Sequence, residues 1–214
     1  VETPRVQGMD EPSSFFHPTL IFDESYWVHD FSRPSPDDWQ APYRYSVGRY
    51  DENRPMMYTT ELFEGERTHH VGLDLGAPHD TPVHAFGAGK IFAIAMNDEP
   101  GSYGPTLITE HHLSLPDSVG GQQMQPARTF WVLYGHLSWK SLQDWTVGDT
   151  FGAGDVIARL GHENENGGWP PHVHVQMALN PPENGDLPGV VRPTDRQAAL
   201  EQFPDPRLIC GPLY

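Results

Sequence analysis

The seven residues HVGLDLG at positions 70–76 decide how the chain is read. Side chains on a strand point to opposite faces in turn. Val71, Leu73 and Leu75 then form an apolar side, and His70, Gly72, Asp74 and Gly76 the other. An imidazole and a carboxylate share that second face, with a glycine between them where a metal could sit unobstructed. His70 and Asp74 are four apart, as ligands on a helix often are, but Gly72 and the β-forming neighbours argue for a strand.

Two later stretches repeat the pattern. HVHVQM (172–177) sets His172, His174 and Gln176 against Val173, Val175 and Met177. FWVLYGHLS (130–138) carries His136 on the side of Phe130, Val132 and Tyr134, next to Gly135, where backbones approach closely. A lone histidine on a strand is ordinarily exposed or simply hydrogen-bonded, and an isolated H-x-H says little. Three polar-faced segments with apolar backs raise a shared metal site as the competing reading.

Working outward, further apolar-alternating runs lie at 82–86, 89–97, 105–113 and 155–160, beside those at 68–76, 128–137 and 172–178. The 21 glycines and 22 prolines, about a fifth of the chain, fall between them and stay below a low-complexity level. This predicts a mainly β, antiparallel protein with many turns. PTDRQAALEQF (193–203) predicts one short C-terminal helix, with Thr194 or Asp195 as N-cap. Residues 1–60, with the turn-rich stretch SRPSPDDWQAP, read as an irregular N-terminal arm that packs on or covers a core at 61–180. Residues 181–214 form a C-terminal extension, and 115–127 a polar hairpin excursion.

The 214 residues fit one domain, or a domain plus an arm. Acidic residues number 29 against 13 basic ones, a net charge of −16, with only Lys90 and Lys140 as lysines. Such a field repels phosphate backbones and anionic membranes, so nucleic acid is excluded as a partner. No apolar run approaches the ~20 residues that span a bilayer, which predicts no membrane insertion. The single cysteine, Cys210, permits neither an internal disulfide nor a Cys-rich zinc cluster, so a metal here must be held by nitrogen and oxygen. Cys210 itself reads as a small apolar residue of the end segment. The start at Val1, without Met or leader, reads as a processed product or a trimmed segment. Lack of disulfides leans intracellular, but bacterial envelope proteins also often lack them; a bacterial envelope or secreted protein is the reading favoured, with the cytoplasm left open.

HVGLD, then YGHLS, then HVHVQ resembles the zinc endopeptidases of the lysostaphin/LytM type, whose pattern is H-x-x-x-D, a mid-domain Y-G-H-[LM] and a late H-L-H. The intervening GLDLGAPHDTPVHAFGAGKI and VGDTFGAGDVIARLGH are similar to that family's strand–turn–strand segment and hairpin. The likeness covers about 67–178. The flanks YSVGRYDENRPMMYTTELF, ENENGGWPPHVH and LPGVVRP…PDPRLI resemble a branch of peptidase domains fused to aminotransferase-type enzymes.

The resemblance implies a groove-bearing LytM-like β-sandwich or barrel, a duplicated hybrid motif, with one zinc ion at its floor. His70, Asp74 and His174 become the zinc ligands, and His136 and His172 the catalytic imidazoles. Two histidines and a carboxylate leave a fourth position for water, as in a catalytic site. No glutamate accompanies the motifs, so proton transfer falls to a histidine. The activity implied is a zinc metalloendopeptidase acting on peptidoglycan, in stem peptides or cross-bridges, at glycine- or D-alanine-containing bonds. The alternative is a catalytically silent LytM-like module that binds or regulates wall hydrolases. An iron oxygenase with the same ligand set places its His and carboxylate two apart. A sugar-permease phosphocarrier domain needs no H-x-x-x-D. Oligomeric state is left open.

Departures from the family pattern leave the ligands alone. Asp80 stands where glycine is usual and tolerates a left-handed backbone; Val173 and Val175 replace larger apolar residues. His69 and His111 read as exposed, since each must face away from His70 or His112. The GHENENGGWPP loop reads as a wall of the cleft, with Trp169 a candidate substrate contact and a structural role as the favoured alternative. In DENRP (51–55), Asn53 is the candidate for a lid ligand, with a simple surface turn as the plainer alternative.

Overall fold

Alternation of β-formers with turn residues produces thirteen strands among residues 15–33 and 42–214, the part of the chain that the computed structural model describes. They are β1 (Tyr26–Val28), β2 (Tyr45–Gly48), β3 (Glu52–Asn53), β4 (His69–His70), β5 (Leu73–Gly76), β6 (Pro82–His84) and β7 (Gly89–Asn97). There follow β8 (Gly104–Leu113), β9 (Arg128–Gly135), β10 (Thr150–Phe151), β11 (Val156–Arg159), β12 (His172–Ala178) and β13 (Val190–Val191). Most of the turn-rich stretch at 32–42 lies outside the described residues.

Eight strands make one sheet in the order β1-β2-β5-β12-β9-β8-β7-β10, antiparallel except for β1 with β2. Smaller sheets pair β11 with β6 and order β13-β4-β3. The mainly β, antiparallel architecture is the one predicted, and each long apolar-alternating run except 68–76 became a strand within a few residues.

The large sheet has two differently used faces. On one, Leu73, Leu75, Leu107, Val132, Tyr134, Val173, Val175 and Met177 sink into the main core, all 3% exposed or less. Burial of each Val or Leu is worth roughly 1.5–3 kcal/mol. The other face carries a smaller core of Ile108, Leu133 and Ala178, on which Ala199 and Phe203 pack. Phe203 caps α2 (Arg196–Gln202), the late helix; the short α1 (Trp139–Leu142) precedes it and the single turn α3 (Arg207–Cys210) follows. Asp195 occupies the N-cap position of α2 without a side-chain capping bond. No described helix is long and apolar enough to cross a membrane.

Three local readings change. HVGLDLG is not one continuous strand: β4 ends at His70, β5 begins at Leu73, and the two belong to different sheets. Val71 accordingly joins the smaller core, not that of Leu73 and Leu75. His69 and His111 are buried, 5% and 1% exposed. Their partners explain it: the His69 Nε2 meets Asp51 Oδ1 at 2.7 Å, and the His111 ring lies between Ala88 O and the Thr109 hydroxyl.

Candidate metal centre and catalytic cleft

The register of β12 gathers the site. His174 lies opposite Asp74 on β5 and opposite Gly135 on β9, and His172 opposite Gly76. Opposed residues in an antiparallel pair share a face, so His172, His174 and Asp74 emerge together on the side away from the main core. His70 comes from β4 in the small sheet, across the groove. His136 follows the last residue of β9 with φ +62°, a left-handed conformation rare for a residue with a Cβ. Its backbone is held there by N–H donation to Tyr103 O at 2.8 Å and by acceptance from Gly161 N at 3.0 Å.

Three donor atoms converge. His70 Nε2 lies 3.1 Å from His174 Nδ1 and 3.2 Å from Asp74 Oδ1, and His174 Nδ1 lies 3.1 Å from Asp74 Oδ1. Ligands of a tetrahedral zinc with bonds of about 2.0–2.1 Å stand about 3.3 Å apart, so the triangle fits such an ion closely. The tautomers agree. His70 Nδ1–H donates to Arg49 O at 2.8 Å, which leaves Nε2 as a lone pair, and His174 Nε2–H donates to Gln176 Oε1 at 3.1 Å, which leaves Nδ1. Bracing of this kind is the usual support of metal-bound imidazoles.

His136 and His172 border the triangle, their ring centres 4.2 Å apart. Both are braced alike: His136 Nδ1–H donates to Asn166 O and His172 Nδ1–H to Pro170 O, each at 2.7 Å. Each therefore keeps an Nε2 lone pair, and that of His172 stands 3.9 Å from Asp74 Oδ1.

Burial favours the neutral form of His70, His136 and His172. Desolvation, then the Arg54 charge, holds His70 down to about 4. His136 lies well below its usual value through burial and then the neighbouring His172, and His172 is lowered by burial against the opposing pull of Asp74. For Asp74, burial alone acts upward. The closeness of His70 and of the Arg54 guanidinium outweighs it and holds the carboxyl well below the carboxylate range.

Arg54 escaped the reading of the sequence. It is 1% exposed, and its guanidinium reaches Asp74 Oδ2 at 2.7 Å, Glu52 Oε2 at 2.9 Å, Arg49 O at 3.0 Å and the Tyr58 hydroxyl oxygen at 3.1 Å. Asn53 points elsewhere, accepting from Thr68 Oγ1 at 2.7 Å. The signal was present in DENRP: on a two-residue period Glu52 and Arg54 share one face and Asn53 the other. Gly72 also has a different use. A Cβ there would stand 2.2 Å from His174 Cε1, so the glycine makes room for that ring.

Arg54, Asp74 and the four imidazoles line a cavity of about 930 Å³, whose walls include Phe31, Met57, Tyr58, Phe63, Trp169 and Leu187. Because Tyr58 oxygen accepts from Arg54, its proton is left for a group in the cavity. Trp169 belongs to the wall and is also structural, its Nε1–H donating to Gly101 O at 3.1 Å.

A β-sheet groove with two imidazoles and a carboxylate converging, and two further imidazoles beside them, defines a metallopeptidase of the LytM type. The chain belongs to peptidase family M23, whose profile matches residues 68–184. Among solved structures it is similar to the catalytic domain of the antimicrobial peptidase lysostaphin from Staphylococcus simulans, with 24% identity over 70% of this chain and 90% of that one and a TM-score of 0.46. A peptidase M23 from Pseudomonas aeruginosa shares 23% identity over 67% of this chain and 44% of that, with a TM-score of 0.42. A zinc-containing peptidase from Vibrio cholerae shares 22% over 68% and 35%, with a TM-score of 0.40. The chain thus spans less than half the length of the latter two. No curated protein matches it.

Proposed function

We propose that this peptidase is a zinc-dependent endopeptidase that cuts peptide bonds in the stem peptides or cross-bridges of bacterial peptidoglycan. The observation that carries the reading is the triangle of lone pairs at 3.1–3.2 Å beside two imidazoles that each keep a free Nε2. His70, Asp74 and His174 would hold one zinc ion. Zinc, when bound in such a site, supplies Lewis acidity that polarises a carbonyl and brings water to a pKa of ~7.

The chain's own groups move the proton. Neutral His172 and His136 present basic Nε2 atoms, and their rings are so close that a charge on one disfavours charge on the other. The pair therefore carries one proton at a time. It leaves the attacking water for an imidazole and is then given to the departing amine, so one site serves as base and acid in turn. Asp74, 3.9 Å from His172, favours the protonated form of that ring. The Tyr58 hydroxyl stands in the same cavity as a donor for the developing oxyanion. A cell-wall substrate sets the place of action at the envelope. A silent regulatory module has no use for two braced, lone-pair-bearing imidazoles beside the ligand triangle, and no observation favours it.

The test is to incubate zinc-loaded wild type and a His136→Ala variant with purified peptidoglycan and with oligoglycine, and to analyse the products by mass. Wild type should release peptide fragments, and the variant should lose about 10²–10⁴-fold in rate with its zinc retained. Zinc-loaded wild type that cuts neither substrate would refute the wall-hydrolase reading.

A further inference from the structure

Away from the cleft, the turn before β6 and the loop after β11 bring His79, Asp80 and His162 together. We propose that these three side chains form a second binding site for a divalent transition-metal ion such as zinc. Each offers one ligand atom, and the three atoms lie within 4.8 Å of one another. His79 Nδ1 stands 3.4 Å from Asp80 Oδ2, and the rings of His79 and His162 face each other at 3.8 Å with a 30° tilt. Two imidazoles and one carboxylate suit zinc, nickel or copper rather than magnesium or calcium. Donors of a tetrahedral site stand about 3.3 Å apart. All three residues are exposed, the side chains of His79 and Asp80 by 51% and 64%, so rotamer changes can close the remaining gap.

The backbone under the cluster is already set. Asp80 sits at φ +62°, where a residue with a Cβ is held at a cost of about 1 kcal/mol and a glycine would be at ease. Its N–H donates to Leu160 O at 2.9 Å, and the Arg159 guanidinium donates to its carbonyl at 2.8 Å. Pairing of β6 with β11 joins Pro82 to Arg159. Residues 80 and 162 are therefore anchored at neighbouring ends of two paired strands, and the carboxylate is presented beside both rings. Among the described residues, neither imidazole donates to a backbone carbonyl. Without the bracing seen in the cleft, this site is the weaker of the two.

The position gives the ion a structural role. His162 opens the loop that carries Asn166 and Trp169, and the Asn166 carbonyl is the acceptor that aims His136. An ion at His79, Asp80 and His162 ties the first residue of that loop to the turn before β6.

Metal-free protein, dialysed against zinc buffered at rising free concentrations and analysed for bound metal by elemental mass spectrometry, tests the assignment. Wild type should bind zinc in two steps and reach two ions per chain. His79→Ala and His162→Ala should lose the weaker step and keep the tighter one, whereas His70→Ala should lose only the tighter. Failure of the cleft centre is thus distinct from failure of this site. Limited proteolysis within 161–171 should slow at saturating zinc in wild type but not in the His162→Ala variant. A wild type that shows no second step, or a second step that survives in both surface variants, would overturn the proposal.

Discussion

Each imidazole of the cleft works with one nitrogen because the other is committed to a fixed acceptor. Arg54 does the equivalent for the carboxylate: it occupies Asp74 Oδ2 and leaves Oδ1 to the imidazoles. Removing one partner of a buried ion pair leaves the other charge uncompensated, at a cost of about 3–5 kcal/mol. Arg54→Met should therefore lower the unfolding free energy of the metal-free protein by about that amount, read from urea denaturation. Arg54→Lys should fall in between, since one ammonium cannot satisfy Asp74, Glu52 and Arg49 O together. Midpoints unchanged in both variants would contradict the assignment. Buried ligand-type residues were legible here as a type and a spacing. Arg54 was legible only through strict strand alternation, and DENRP looks like a surface turn because a buried arginine is rare.

The decisive element is the junction between β4 and β5, where the chain leaves one sheet and enters another. The two-residue break at Val71–Gly72 puts His70 on one side of the groove and Asp74 on the other, so H-x-x-x-D spans the site instead of lying along one strand. The His174 ring fills the space that the missing Cβ of Gly72 leaves open. Gly72→Ala should displace that ring and weaken zinc binding by about 10–100-fold, while the β-type circular dichroism spectrum persists. Competition with a chromophoric chelator measures it, and an unchanged affinity would show that the close approach is dispensable. Alternation predicted the faces of β5 and β12 correctly. The break itself was hidden, because nothing in Val71 or Gly72 marks a change of sheet.

Burial favours the neutral form of His29, His70, His111, His136 and His172, and this makes stability depend on pH. His111 is the clearest case because it lies outside the cleft. Burial pushes it down to about 4, against the raising effect of its bond to Ala88 O. Below pH 6.5 the unfolded chain takes up this proton, while the folded chain does so only near 4. The contribution is therefore complete above 6.5 and is lost as pH falls from 6.5 to 4, by on the order of 3 kcal/mol for this residue. His29 and His70, also held at about 4, act in the same direction. The melting temperature of metal-free protein should fall steeply from pH 7 to pH 4.5, and less steeply in His111→Phe. An equal slope in the two proteins would assign the loss to other groups. The far ends of the described chain contribute at this scale as well. Tyr26 OH donates to Leu213 O at 2.9 Å and Tyr50 OH to Phe203 O at 2.7 Å, which closes the C-terminal residues over strands β1 and β2.

The type of the main strands and most of their apolar faces were set by local patterning, and the likeness of HVGLD, YGHLS and HVHVQ to a family pattern singled out the donor residues. Periodicity and turn chemistry act over a few residues and need no partner. Only the tertiary structure decided that β4 and β5 part company, that His69 and His111 are buried, and that Arg54 stands behind Asp74. Those outcomes depend on which strands become neighbours. Residues 54 and 74, or 70 and 174, meet through sheet register across long stretches of chain, and register is a property of the assembled sheets that no single segment contains.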